Sequence, residues 1–205
     1  FVGFESTTPE GLAEVGKKFN LSQGRDLKKA VRRIQGYNIM VVGSFIMGLD
    51  ADAPGIGRCI AQTASKYGVD LLNALFLTPL PGTRLWDRMK SQDRIAADNF
   101  PGDWRYYTLG FPTASYKNFS WTAIMDEMNR CDGMFYSRWN IFRRVAASFL
   151  RWRRPFMSLI SNLSFRRNAR LTRRNFIAMN LPRNGSDVGR TIGIPGIGTN
   201  IEMAG

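Results

Sequence analysis

The sequence contains no histidine and only two cysteines in 205 residues. Histidine is the side chain that titrates near neutrality and the commonest metal ligand. Its absence excludes the usual serine, cysteine and zinc hydrolases, which need it as base or ligand. Cys59 and Cys131 stand far apart in sequence. With no histidine to join them they make no zinc site, so each is expected to be a small buried residue rather than a ligand or nucleophile. Chemistry here runs on carboxylates, backbone groups or a bound cofactor. Long apolar runs are also missing. The longest candidate, Ile39 to Leu49, is broken by Gly43, Ser44 and Gly48, well short of the roughly 20 residues that cross a bilayer. No charged stretch followed by an apolar core opens the chain as in a secretory signal, and a cytoplasmic setting is expected. Finally, from Gly133 to Ser186 there is no acid and no lysine, but 12 arginines.

What is present supports a folded core, since 44% of residues are hydrophobic. Phe1 stands directly in an apolar run, which reads as the middle of a strand and predicts a piece of a longer chain. Three such runs recur, Phe1 to Phe4, Ile39 to Met47 and Val69 to Leu77. Leu27, Ala30, Val31 and Ile34 repeat at helical spacing between the first two, with Gly36 after them. Ile56, Ile60, Ala64 and Tyr67 do the same between the second and third, ending at Gly68. Continuously apolar strands alternating with helices predict a parallel sheet. A further helix is predicted from Thr83, a good N-cap. From about Ser91 the chain is rich in aromatics, glycine and proline. Helices follow through Ile124 and Met128, and from Trp139 to Trp152 with Phe142, Val145, Phe149 and Trp152 on one face. The last twenty residues, without periodicity, predict a disordered tail over 186–205.

Ligands of parallel α/β sheets bind where the carboxyl ends of strands meet their loops. Those loops are Glu5-Ser6-Thr7, Gly48-Leu49-Asp50-Ala51-Asp52 and Thr78-Pro79-Leu80-Pro81-Gly82-Thr83. A carboxylate such as Glu5 can accept two hydrogen bonds from a ribose diol, and Gly48 lets a flat ring approach the backbone. Each feature also has a purely local use. Ser6 or Thr7 before Pro9-Glu10 fits a helix cap, Asp50 or Asp52 fits a cap for the next helix, and Pro-Gly is a common turn.

In their joint order, Phe1-Val2-Gly3-Phe4-Glu5-Ser6, Gly43-Ser44-Phe45-Ile46-Met47-Gly48-Leu49-Asp50 and Thr78-Pro79-Leu80-Pro81-Gly82-Thr83 resemble the fourth, fifth and sixth strand ends of radical S-adenosylmethionine enzymes, specifically the cobalamin-binding members. The likeness covers about Phe1 to Arg94 and continues more loosely to Phe135-Tyr136-Ser137. It implies an α/β fold. The last three βα units of a partial TIM-type (β/α) barrel would span 1–92, and a mostly helical appendage 93–185. It also implies cofactor-binding positions at Glu5 and Ser6 for the ribose, Ile46, Gly48 and Asp52 along the fifth strand, and Thr78 and Pro79 beside the adenine. No catalytic residue and no metal ligand is implied within the chain. The C-x3-C-x2-C motif that holds the family's [4Fe-4S] cluster is absent, as is a cobalamin-binding region. The expectation is therefore a fragment of a methyltransferase acting on an unreactive carbon through S-adenosylmethionine, inactive alone and completed by a missing N-terminal half. The cofactors supply the reactivity in such enzymes.

The arginine-rich half suggests an anionic partner. Arg143, Arg144, Arg151, Arg153 and Arg154 flank a helix with an aromatic face, as in helices lying on anionic membranes. A peripheral membrane location follows from that reading. The same charges also suit RNA phosphates, or a solvated face. A non-catalytic basic module docking on membrane or RNA is the alternative to the enzyme reading.

Overall fold

The structure is a computed structural model that describes residues 1–17, 26–150 and 154–178. The predicted tail 186–205, together with Arg151, Trp152 and Arg153, lies outside the described residues. The chain is mixed α/β, with a small parallel sheet in the order β1-β2-β3, formed by Val2–Glu5, Val42–Met47 and Leu71–Phe76. Seven helices are described: α1 Pro9–Glu14, α2 Leu27–Gly36, α3 Ile56–Tyr67, α4 Arg84–Ser91, α5 Trp121–Phe135, α6 Arg138–Leu150 and α7 Pro155–Ala178. A 3₁₀ turn at Gly102–Tyr106 is the main regular feature of the aromatic stretch.

The parallel register pairs Phe45 with Ala74 and Met47 with Phe76. Alternation along each strand then sorts the side chains onto two faces. Phe4 stacks on Phe45 at 5.4 Å and meets Tyr67 of α3 at 5.0 Å. Phe45, Met47 and Phe76 are buried on this helix-covered face together with Ile60, Ala64, Ile124, Met128 and Cys131. The other face carries Gly3, Ser44 and Asn73 in one row, and its Val42, Ile46 and Leu75 remain half-buried.

The two sheet edges differ. On β3, the Tyr136 hydroxyl accepts from the Leu72 N–H at 2.9 Å and donates to the Leu72 carbonyl at 2.7 Å. The Phe76 N–H reaches the Leu109 carbonyl further along the strand. An edge strand exposes unpaired backbone groups, and these contacts occupy those of Leu72 and the Phe76 N–H. β1 forms the other edge, and among the described residues no further strand pairs with it.

Several helix ends follow the sequence reading. Gly68 closes α3 in the left-handed conformation with φ 76°, and the Thr83 hydroxyl caps α4 by accepting from the Trp86 N–H. Others differ. Gly36 is the last residue of α2, and Tyr37 caps it. The cap of α1 is Thr8, which accepts from the Gly11 N–H, while Ser6 accepts from the Thr8 N–H. Neither Asp50 nor Asp52 caps α3. Its N-cap is Gly55, and Glu127 of α5 accepts from the Gly55 and Gly57 N–H groups at 3.0 and 2.9 Å.

Cysteine and arginine also need correction. Cys131 is fully buried as expected, but Cys59 is exposed, because it sits on the outward turn of α3. Arg144 is half-buried rather than fully exposed. Its guanidinium donates to Asn162 Oδ1 at 2.7 and 3.1 Å and to the Phe135 carbonyl at 2.9 Å, and lies 4.0 Å above the Phe135 ring. Burial pulls its pKa down to about 10. Arg144 therefore fastens α6 to α5 and α7, which leaves Arg143 and Arg154 as the exposed members of the expected basic set among the described residues.

Candidate functional site

The loops that follow the three strands lie at one end of the sheet and are knitted into a single layer. Leu77, just past β3, donates its N–H to the Met47 carbonyl at 2.8 Å. Glu14 of α1 accepts from the Asp50 and Ala51 N–H groups at 3.1 and 3.3 Å, which ties the β1 side to the β2 loop. Asn118 donates to the Asp50 and Asp52 carbonyls at 3.0 and 2.7 Å. Arg94 grips Asp50 with two hydrogen bonds, at 2.7 and 3.2 Å. That bidentate contact holds the Asp50 carboxyl below its ordinary range.

At the end of β1, Glu5 has φ 68°, a left-handed backbone that costs a side-chain-bearing residue roughly 1–2 kcal/mol. Its carboxylate folds back over Gly3, where any Cβ would collide with it. It therefore lies over the face away from Phe4 and the helices. Lys17 Nζ meets Glu5 Oε1 there at 2.6 Å. Ser6 is buried beside it. Thr7 Oγ1 is buried with no hydrogen-bond partner.

At the end of β2, Gly48 has φ 98°. A Cβ there would meet the Tyr116 ring at 2.6 Å and Ile124 at 2.9 Å, so the close approach this glycine permits is taken by Tyr116. That ring is anchored by its hydroxyl, which donates to the Leu77 carbonyl at 3.2 Å. Asp52 is turned inward and its Oδ2 accepts from the Gly48 and Leu49 N–H groups at 2.8 and 3.0 Å. Its Oδ1 is buried without a partner. Ile46 is half-buried on the more open sheet face. After β3, the Thr78 hydroxyl donates to the Phe76 carbonyl at 3.1 Å, and Pro79 is buried.

The structure thus gathers Glu5, Ser6, Gly48, Asp52, Thr78 and Pro79 at one rim, with Ile46 just below. It adds Glu14, Lys17, Arg94, Tyr116 and Asn118. None of these five carries a local sequence signal, since each acts across a separation of many residues.

Asp52 makes the rim sensitive to pH. Burial outweighs its two backbone hydrogen bonds and raises its pKa from 3.8 to about 6. A carboxyl raised on folding keeps its proton while the unfolded chain has lost it, so stability falls as pH rises from about 4 to 6. The span is worth up to roughly 3 kcal/mol. Asp52→Asn retains an acceptor for the two N–H groups and should flatten that part of the curve. Urea midpoints at pH 4 and 7 check this. An unchanged slope in the variant would assign the pH dependence elsewhere, with Asp132, raised to about 7 by burial, as the next candidate.

This rim, with the Glu5 carboxylate, two unpartnered buried oxygens and the more open sheet face beside it, bears comparison with known proteins. No protein-family model matches the chain. It is 35% identical over 99 residues to the hopanoid C-2 methylase of Rhodopseudomonas palustris, covering 48% of this chain and 18% of that protein. It is 28% identical over 138 residues to an uncharacterized methyltransferase of Pyrococcus horikoshii, covering 67% and 28%. With the bacteriochlorophyllide d C-12(1)-methyltransferase of Chlorobaculum tepidum it shares 24% identity over 151 residues, covering 74% and 31%. The chain is thus similar to part of each of three proteins named as a methylase or a methyltransferase. It spans less than a third of the length of each of these relatives.

Proposed function

We propose that the chain is the C-terminal part of a radical S-adenosylmethionine methyltransferase that acts on an unreactive carbon. Residues 1–92 would supply the last βα units of a partial barrel and 93–185 a mostly helical extension. The observation that carries this reading is the rim. Three parallel strands in sequence order have Glu5, Gly48 and Thr78-Pro79 at their carboxyl ends, which supports the likeness of these loops to the family's strand ends. The unequal edges support it further, because Tyr136 holds Leu72 on the β3 edge while among the described residues no further strand pairs with the β1 edge. Two of the relatives are named for methylation at carbon positions.

The residues present suit S-adenosylmethionine. Glu5 lies over the more open face with a carboxylate able to accept from ribose hydroxyls, and Ser6 is beside it. Ile46 offers half-buried apolar surface for adenine, with Thr78 and Pro79 buried at the end of β3. The unpartnered Thr7 Oγ1 and Asp52 Oδ1 add polar atoms at the same rim. Gly48 and Asp52 shape the β2 loop. Bound there, S-adenosylmethionine supplies a 5′-deoxyadenosyl radical on one-electron reduction.

The donor set does not fit an iron–sulfur cluster. Cys59 is exposed and Cys131 is buried in the core, and no group of three His, Cys, Asp or Glu is placed to hold a metal among the described residues. The cluster and cobalamin would be held by another part of a longer protein. The test is direct. The longer protein carrying this chain, reconstituted anaerobically with iron and sulfide, is expected to form 5′-deoxyadenosine from S-adenosylmethionine, and the 205-residue chain alone to form none. Turnover by the chain alone, or no C-x3-C-x2-C in the longer protein, would overturn the reading.

A further inference from the structure

Independently of the methyl-transfer reading, we propose that the α6–α7 hairpin docks flat on an anionic phospholipid bilayer. α7 turns Ser158 and Asn162 inward, both buried. Its opposite face changes character along its length. Phe156 (80% exposed), Ile160 (59%) and Leu163 (48%) hold the first half. Arg167, Arg170 and Arg174 hold the second, with Arg166 and Arg173 on its flank. At about 1.5 Å per residue each stretch is roughly 10 Å long. α6 contributes Phe149 and Leu150, exposed by 70% and 78%, to the apolar end, and Arg154 stands just beyond it, exposed. The result is an apolar band with cations at both ends. A hairpin of that pattern lies in the plane of a membrane, its band sunk about 5–10 Å into the interface. No helix among the described residues is long and apolar enough to cross one.

Beside the band runs a groove of about 530 Å³ between the two helices. Its floor is Ile141, Val145, Leu159 and Leu163, and its rim includes Arg138, Arg166 and Arg170. Partial burial lowers the Arg166 pKa, and the neighbouring Arg170 and Arg138 lower it further. No acidic side chain pairs with these arginines among the described residues, and none occurs anywhere from Gly133 to Ser186. Charge complementarity therefore selects the occupant. A second copy of this face would bring arginine against arginine. RNA would satisfy the guanidinium groups but leave Phe156, Ile160 and Leu150 without a partner. A phospholipid surface with anionic head groups satisfies both.

The experiment is cosedimentation of the 205-residue chain with vesicles of phosphatidylcholine, alone or mixed with phosphatidylglycerol. Binding is expected only to the anionic vesicles. It should weaken as salt rises and the Debye length falls from about 10 Å at 0.1 M to about 3 Å at 1 M. Arg167→Glu and Arg170→Glu should each weaken it by roughly tenfold. The double variant Phe156→Ser, Ile160→Ser should weaken it by at least roughly tenfold as well. All four positions are on the surface, and circular dichroism checks that the variants fold. Equal affinity for both vesicle types overturns the proposal. So does anionic binding that ignores the loss of Phe156 and Ile160, tighter binding to single-stranded RNA than to anionic vesicles, or a dimer that the double variant dissociates.

Discussion

Replacing Gly57 by alanine is expected to lower the unfolding free energy by about 3 kcal/mol or more. α3 starts at Ile56 without a capping side chain of its own. Glu127 of α5 supplies the missing acceptor to the Gly55 and Gly57 N–H groups, and its own side chain is only 7% exposed. This brings the two helices into backbone contact. A Cβ on Gly57 would collide with the Glu127 main-chain carbonyl, which cannot rotate aside as a side chain would. Relief requires α3 and α5 to separate, which opens the core layer of Ile60, Ala64, Ile124, Met128 and Cys131, all buried. Overpacking of this kind typically costs about 1–3 kcal/mol, and disturbing two charge-assisted hydrogen bonds adds to it. Glu127→Ala separates the two contributions. It leaves the contact distance alone but strips the acceptor from two N–H groups, at about 1–3 kcal/mol for each one left unsatisfied. Guanidinium denaturation followed by circular dichroism measures both. A Gly57→Ala midpoint indistinguishable from the parent would mean that α3 slides freely on α5 and that the close contact is not structural.

That junction also marks how far the sequence could be read. The three strands and the helices between them were legible because their signals are local: an apolar run, a helical stripe, a glycine or threonine at a boundary. Gly68 and Thr83 act as their residue types suggest. The cap of α3 was not legible, since its acceptor comes from Glu127 in a different helix. The exposure of Cys59 escaped for a related reason. Ile56, Ile60 and Ala64 define the buried stripe, and Cys59 is one residue off it, so its type favoured burial while its phase on the helix decided against it. Arg144 is the converse case, a charged residue drawn inward by Asn162 and two aromatic rings that only the packing of α5, α6 and α7 brings together. At the candidate site the strand-end loops could be named from topology, and the choice of Ile46, Asp52, Thr78 and Pro79 among them only from the family resemblance. What braces them could not, because Glu14, Lys17, Arg94, Tyr116 and Asn118 reach the rim by long-range contacts. The use of Gly48 shows the limit well. Its freedom from a side chain is needed, but for a tyrosine of the same chain.

Glu5 offers the second large effect, because its backbone and its side chain make opposite demands. In the longer protein, Glu5→Ala and Glu5→Gly are both expected to weaken S-adenosylmethionine binding by roughly ten- to a hundred-fold, as the loss of one or two charge-assisted hydrogen bonds of about 1.5–3 kcal/mol implies. Stability should separate the two variants. At φ 68° alanine retains the left-handed penalty, whereas glycine does not, so Glu5→Gly should be the more stable variant by about 1 kcal/mol. The ion pair with Lys17 is partly exposed on both sides, at 34% and 18%, and such pairs contribute about 0–1 kcal/mol. Its loss in the glycine variant is therefore offset by the relaxed backbone. A position where glycine folds as well as glutamate, yet glutamate stands, fits a carboxylate kept for a ligand. Lys17→Met is the control. It removes the ion pair while leaving the carboxylate, and should leave ribose recognition largely intact. Calorimetric titration reads the affinities and thermal melts read the stabilities. If Glu5→Gly binds normally, or if Lys17→Met loses as much affinity as Glu5→Ala, the carboxylate serves its lysine and not the ribose.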